Sequence, residues 1–275
     1  MAERIDSLHL PDYRIIQDDK TFCYGIDAVL LSNFVLKNAS FNLSSPNENL
    51  QRTAEGESNF STTKIFDLGT GNAIIPILLA AQSFAPLKIT GLEYQEKIWD
   101  MANRSVQLNS FSPETCIQIV HGDIKNIPNL FKKSLTDIVV SNPPYVKPSC
   151  ARQSSNTEKM IARQEIFCTL DDVILGAAHL LKENGKFFMI HRPQRLQEIF
   201  DSLKKNGFDD VQYQFVCPFK EHKPTMVLVC ASFASKEICK IQNSQLPPLV
   251  VYEKKKSKAE YTEEIQKIYS PRIKA

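Results

Sequence analysis

Four consecutive residues, Asn142, Pro143, Pro144 and Tyr145, combine types that suit chemistry on a weakly nucleophilic nitrogen. An amine conjugated to a purine or an amide attacks poorly because its lone pair is delocalised into the π system. Two acceptors that take both of its N–H bonds, the Asn142 side-chain oxygen and the Pro143 carbonyl, favour a pyramidal nitrogen with an available lone pair. They also offset the positive charge that develops there. Proline supplies the rigidity, since its ring fixes φ, removes a donor and pushes the residue before it into extended geometry. Tyr145 offers a face for an extruded base, a contact worth about 1–3 kcal/mol by alanine substitution. A proline turn at the edge of a sheet is the alternative for the same residues.

A second set lies upstream. Asp67, Gly69 and Gly71 stand in the run Asp67-Leu68-Gly69-Thr70-Gly71-Asn72-Ala73, and Glu93 and Asp123 follow. Glycines at a strand-to-helix turn let the backbone turn tightly and approach a ligand with no Cβ in the way. A carboxylate at Glu93 suits the hydroxyls of a ribose, and one at Asp123 suits an adenine amino group. Three strand-end carboxylates fit a nucleoside, and the Asp-x-Gly-x-Gly spacing differs from the dinucleotide turn.

Positioning these residues requires strands that end at them. Short β runs are expected over Lys64–Asp67, Leu87–Glu93, Cys116–His121, Asp137–Ser141, Lys186–His191, Val211–Val216 and Met226–Ala231. Helices are expected over Ala73–Phe84, Gln95–Leu108, Arg163–Lys182 and Gln194–Lys205. Strands alternating with helices imply right-handed βαβ units and a mainly parallel sheet covered on both faces. The last two strands, with no helix between them, form an antiparallel hairpin at one edge. Ahead of this, Ile26, Val29, Leu30, Phe34 and Leu36 read as an amphipathic helix after a turn at Gly25. Asn38 to Thr62, rich in Asn and Ser, reads as a loop.

Composition narrows the class. With 43% hydrophobic and 23% charged residues, the 275-residue chain is globular, which excludes full-length disorder, collagen and coiled coil. The apolar run from Ala73 to Ala81 falls far short of a membrane span. Glu3, Arg4 and Asp6 replace the apolar core of a signal peptide, so a cytoplasmic location is expected. The seven cysteines include no closely spaced pair and are expected to be reduced, buried thiols; the five histidines are scattered, so no metal site is expected. Net charge is +2, distributed unevenly. Lys125 to Glu165 holds seven basic against three acidic residues, and Glu253 to Ala275 seven against four.

Asp67 to Ala73, Glu93 and Asn142 to Tyr145 together resemble class I S-adenosylmethionine-dependent methyltransferases of the amino-methylating branch, over Thr63 to Phe233. The resemblance implies an α/β fold with a Rossmann-like seven-stranded sheet, helices on both faces and a C-terminal antiparallel hairpin. It implies S-adenosyl-L-methionine as cofactor, with Asp67, Gly69 and Gly71 at its methionine end, Glu93 at its ribose and Asp123 at its adenine. It also assigns the holding of the target to Asn142, Pro143, Pro144 and Tyr145. Residues 1–62 would then be an N-terminal helical cap and polar loop, 63–233 the catalytic domain, and 234–275 a tail packing on or extending it.

A narrower resemblance, to the valine-tRNA adenine-N6-methyltransferase family, rests on Gln17 to Ala28, Ile161 to Glu165, His191-Arg192-Pro193 and the tail from Pro247 to Ile265. It implies tRNA as partner and N6 of the adenosine next to the anticodon as target; no metal and no membrane are expected as partners, and the oligomeric state is left open, with a monomer favoured over an oligomer. The chain departs from that pattern with Ala73 for a third glycine, Gln164 for a histidine, and few glycines over Lys147 to Thr157. Two alternatives stay open: a protein-glutamine N5-methyltransferase, because an amide nitrogen poses the same lone-pair problem, and a non-catalytic RNA-binding module whose cofactor site has decayed at Ala73.

Overall fold

The computed structural model describes residues 3–18, 23–39, 62–143, 168–234, 242–255 and 258–271. In chain order the elements are β1 (Glu3–Ser7), β2 (Arg14–Asp18), α1 (Ile26–Asn38), β3 (Thr63–Leu68), α2 (Ile74–Gln82), β4 (Leu87–Glu93), α3 (Glu96–Gln107), β5 (Cys116–His121), α4 (Ile127–Leu130), β6 (Thr136–Ser141) and α5 (Leu170–Leu180). They continue with β7 (Leu181–His191), α6 (Leu196–Lys205), β8 (Phe208–Cys217), β9 (Met226–Phe233), β10 (Asn243–Val250), β11 (Tyr252–Lys255), β12 (Lys258–Tyr261) and α7 (Glu263–Tyr269).

Strands β3 to β10 form one sheet in the order β10-β8-β9-β7-β6-β3-β4-β5. Every neighbouring pair is parallel except those made by β9, which runs antiparallel to β7 and β8. This is the expected doubly wound sheet with its reversed hairpin. The tail adds an eighth strand, β10, beside β8.

Both faces are covered, and alternation along the strands explains how. In β7, Phe188 and Ile190 join the core under α1 and α2, whereas Phe187 and Met189 join the core under α5 and α6. Each fully buried side chain of this kind contributes about 1.5–3 kcal/mol. Successive residues of one strand therefore hold both layers to the sheet. α2 is almost wholly apolar and buried. Its Pro76 lies in the first turn, where a missing N–H breaks no helical bond.

The N-terminal segment differs from the expected helical cap. Residues 3–18 form the β1–β2 hairpin, with Ile15 and Ile16 buried. Ser105 of α3 and Asn109 just beyond that helix hold it: Ser105 Oγ accepts from the Ile16 N–H at 3.1 Å, while Asn109 accepts from the Arg14 N–H at 2.8 Å and donates to the Arg14 carbonyl at 2.9 Å. These partners are distant in sequence, so the local pattern of Ile15 to Asp18 carried no trace of them. α1 forms where expected but is not amphipathic. Residues 27–32 and 34–36 are all buried, because α2 and α7 pack against the helix in addition to β7 and β9.

Smaller differences follow from local geometry. The helix expected over Arg163–Lys182 is described from Leu170, where Thr169 and Asp172 form a capping box, and ends at Leu180 because the backbone becomes extended at Leu181. Of the cysteines, Cys217 and Cys230 are buried as expected, Cys23 and Cys168 are half-buried and Cys116 is exposed; all five are free thiols. Cys150 and Cys239 lie outside the described residues. Among the described residues no helix is long and apolar enough to cross a membrane, and no cluster of three His, Cys, Asp or Glu side chains is arranged to hold a metal.

Candidate functional site

The chain runs from β3 to β4 and β5 on one side, then returns to place β6 on the other, so strand order reverses between β3 and β6. In open α/β sheets that crevice, at the carboxyl ends of the strands, is where ligands bind. Asp67 lies at the end of β3. Leu68 pairs with Ser141 across to β6, which puts Asn142 alongside Gly69. Ser141 Oγ fastens the two strand ends by donating to the Leu68 carbonyl at 2.8 Å. Glu93 ends β4 and pairs with His121 at the end of β5. The topology therefore gathers Asp67, Gly69, Gly71, Glu93, Asp123 and Asn142 at one sheet edge. Pro143 is the last described residue of the target motif; Pro144 and Tyr145 lie outside the described residues.

The loop after β3 is shaped by three residues in the left-handed region, Gly69 (φ 73°), Gly71 (φ 57°) and Ala73 (φ 68°). A Cβ added to Gly69 or Gly71 would meet nothing within 4 Å, so the glycines are needed for backbone conformation and leave their outer side open. Ala73 keeps the conformation a glycine would take. That costs about 1–2 kcal/mol, partly offset by about 0.8 kcal/mol from its fully buried methyl. The substitution therefore does not reshape the turn.

Asp67 is fully buried. Its Oδ2 accepts from Thr70 Oγ1 at 2.6 Å, while Oδ1 accepts from no described group. Burial pushes its carboxyl up to about 7, against the Thr70 hydroxyl, which favours the charged form. Gly91 makes this possible: a Cβ there would stand 2.8 Å from Thr70 Oγ1 and 3.0 Å from Ile119 Cδ1. Neither Thr70 nor Gly91 was singled out from the sequence: Thr70 acts through its bond to Asp67 three residues away, and Gly91 by leaving room for Thr70 across the β3–β4 pair.

Glu93 is nearly as buried, and burial raises its pKa as well. One carboxylate oxygen accepts from the Gly71 N–H at 3.0 Å and the other from the Gln95 N–H at 2.9 Å. Glu93 thus braces the glycine turn in addition to facing the crevice. Asp123, expected at an adenine, is half-buried and uses Oδ1 to accept from the Lys125 N–H at 2.9 Å, capping the turn after β5. That contact leaves its second oxygen as the one suited to a ligand.

The two histidines at strand ends are structural. His191 is buried and held neutral, its pKa pushed down to about 3 by burial and by the nearby Arg195; its Nδ1 accepts from the Arg192 N–H. A ring nitrogen of His121 bonds the Tyr94 carbonyl at 2.8 Å.

A buried carboxyl oxygen with no partner among the described residues, an open cradle beside two glycines and a strand-end carboxylate fit a nucleoside ligand carrying a cationic tail. S-adenosylmethionine, implied by the sequence resemblance, has that shape and charge.

Comparison with known proteins agrees with this geometry. A family described as "Methyltransferase domain" matches residues 59–267. A tRNA1(Val) (adenine(37)-N6)-methyltransferase of Porphyromonas gingivalis is 30% identical over 135 residues, 48% of this chain and 51% of the relative. A relative of the same description from Proteus mirabilis is 29% identical over 153 residues, 54% and 57% of the two chains. The chain thus spans about half the length of the curated relatives it matches. Among solved structures, a predicted O-methyltransferase from Agrobacterium tumefaciens superposes with a TM-score of 0.63 at 19% identity, covering 88% of this chain and 95% of that one. A 16S rRNA N2 methyltransferase from T. thermophilus, in complex with AdoMet and guanosine, gives 0.54 at 14% identity, covering 84% and 50%. At these identities the likeness is one of fold. With a family match across most of its length and the corresponding crevice built at the switch point of its sheet, the chain belongs to the methyltransferase-domain family.

Proposed function

We propose that the protein is an S-adenosylmethionine-dependent methyltransferase that modifies the exocyclic N6 of an adenine in tRNA, next to the anticodon, in the cytoplasm. The observation that carries this reading is the pairing of Leu68 with Ser141, which brings Asn142 beside the Asp67–Gly71 loop. A bound donor and a target nitrogen held by Asn142 and Pro143 would meet in one crevice, and proximity and acceptor placement then carry most of the rate. S-adenosylmethionine, when bound, supplies an electrophilic methyl group on a sulfonium. Asp67 Oδ1 would accept from its ammonium, the Gly69 and Gly71 backbone would lie against its methionine portion, Glu93 would accept from its ribose hydroxyls, and Asp123 would accept from its adenine amine. Asn142 Oδ1 and the Pro143 carbonyl accept the two N–H bonds of the target, with Pro144 stiffening the turn and Tyr145 stacking on the base.

The tRNA assignment draws on the names of the relatives and on charge. Lys125 is exposed just past the carboxyl end of β5. Lys220, Lys223 and Lys254 are exposed beyond the carboxyl end of β8, on the same edge of the sheet. There Phe219, Tyr252, Tyr261 and Tyr269 form a column of rings with centroids 5.2–5.7 Å apart. If six or more of these and neighbouring cations contact phosphates, tRNA affinity measured by filter binding falls by about 10³ or more between 50 and 200 mM salt. A flat salt dependence removes them from the interface.

Replacing Glu93 with Ala should weaken S-adenosylmethionine binding by about 10- to 100-fold in calorimetry, since it removes the ribose acceptor and leaves the Gly71 and Gln95 N–H groups without theirs. The reading as a whole is tested by incubating the protein with isotopically labelled S-adenosylmethionine and unmodified total tRNA, followed by nuclease digestion and nucleoside mass spectrometry. Labelled N6-methyladenosine is expected. Cofactor binding without any labelled nucleoside would refute the adenine target and direct the search to protein glutamine.

A further inference from the structure

We infer that Asp27 is a positioning residue for methyl transfer, holding the Asn142 side-chain amide so that its oxygen faces the target amine. The inference rests on the amino-methylating reading of Asn142 and deepens it. Asn142 Nδ2 donates to Asp27 Oδ2 at 3.1 Å, across 115 positions of sequence. A carboxylate only accepts, so the amide edge that meets it is the NH₂ edge, and Oδ1 lies on the opposite edge of the plane. Without such a partner an asparagine amide can turn over, presenting two donors where the chemistry needs an acceptor.

Asp27 is itself built to stay in place. It is the second residue of α1 and only 8% exposed. Its Oδ1 accepts from the Ala28 N–H at 3.0 Å, which leaves Oδ2 directed to Asn142. Gly25 allows this bend, because a Cβ there would stand 2.9 Å from Asp27 Oδ1. α1 is in turn buried on almost every side, so the carboxylate is carried by a rigid element.

The contact has an electronic consequence besides the geometric one. An amide whose NH₂ donates to a carboxylate is polarised, and its oxygen becomes a better acceptor. As the target nitrogen attacks the methyl carbon, the N–C bond would form, the C–S bond would break with its electron pair going to sulfur, and the nitrogen would be cationic until it gives its proton to water. The Asp27 charge, relayed through Asn142, stabilises that cation relative to the neutral amine, so its effect falls on kcat and not on ground-state binding.

The test compares wild type, Asp27→Ala, Asn142→Asp and the exchanged pair Asp27→Asn/Asn142→Asp. The readouts are kcat and KM for unmodified tRNA, S-adenosylmethionine affinity by calorimetry, and the side-chain ¹⁵N–¹H signals of Asn142. Asp27→Ala should lower kcat about 10- to 100-fold with KM and cofactor affinity changed less than about twofold. The Asn142 NH₂ signals should move from shifted, slowly exchanging positions to those of a solvated amide. The exchanged pair, which again holds one carboxylate against one amide, should recover most of the activity lost in Asn142→Asp. An unchanged kcat overturns the inference, as do a parallel loss of kcat, cofactor affinity and thermal stability, an exchanged pair no better than Asn142→Asp, or Asn142 signals indifferent to Asp27. If the wild type methylates no tRNA adenine, the functional reading fails, while the amide signals still decide whether Asp27 holds Asn142.

Discussion

Asn142→Ala should reduce methyl transfer to tRNA by about 10³-fold or more while S-adenosylmethionine binds with its wild-type affinity. Removing one preorganised dipole from a water-excluded site commonly costs about 10² to 10³ in rate. Here the same change also removes the group that pyramidalises the nitrogen. The β3 loop is tied to β6 through Ser141 Oγ and the Leu68 carbonyl, and the Asn142 amide is held by Asp27. Single-turnover transfer and calorimetry on the one variant separate the two roles. A loss of cofactor binding equal to the loss of rate would show that Asn142 belongs to the donor site.

Asp67→Asn is expected to act in the opposite sense, lowering cofactor affinity by about 10²-fold, because a charge-assisted bond to an ammonium is lost. It should also change how stability responds to pH. The native carboxyl, pushed up to about 7, is protonated where the unfolded one, near 3.8, is already ionised. Between about pH 4 and pH 7 the unfolded chain binds fewer protons than the native one, so this group's contribution to stability is complete below pH 4. It is lost as pH rises to about 7. The loss amounts to at most about 4 kcal/mol. Glu93, also raised by burial, contributes with the same sign.

Urea unfolding of the free protein from pH 4 to pH 8 should therefore show a decline that Asp67→Asn flattens. Binding a cation beside Oδ1 favours the charged carboxylate, so cofactor affinity should rise with pH through about 7, and binding should release a proton. Calorimetry in two buffers of different ionisation enthalpy measures that proton. An affinity independent of pH, with no proton released, would place the ammonium away from Asp67.

Much of the sheet was readable from local pattern. The β4 and β5 boundaries, Leu87–Glu93 and Cys116–His121, agree residue for residue with expectation. Their β-branched and apolar residues, bounded by turn residues, are a local property of each run. The reversed β8–β9 pair was readable because no helix separates the two runs. The β1–β2 hairpin was not, since it is held by Ser105 of α3 and Asn109 just beyond it rather than by any turn signature of its own. β10 escaped for a related reason: its Pro247 and Pro248 argue against a strand, and the register shift between Leu246 and Leu249 accommodates them at the sheet edge.

The same division runs through the site. Residue types and spacing alone sufficed for the Asp67-to-Gly71 turn and for Glu93 at a strand end, and they are the basis on which Asn142 and Pro143 are proposed as an acceptor pair, because each is a local device set by neighbours along the chain. The tertiary structure decided which of them share a crevice, through the register of Leu68 with Ser141. It also decided that Glu93 braces Gly71, that Gly91 admits Thr70 to Asp67, and that Asp27 reaches Asn142. Each of those contacts joins residues from different elements. No local pattern encodes them, because the free energy that brings the partners together is the burial of the two cores that close over the sheet.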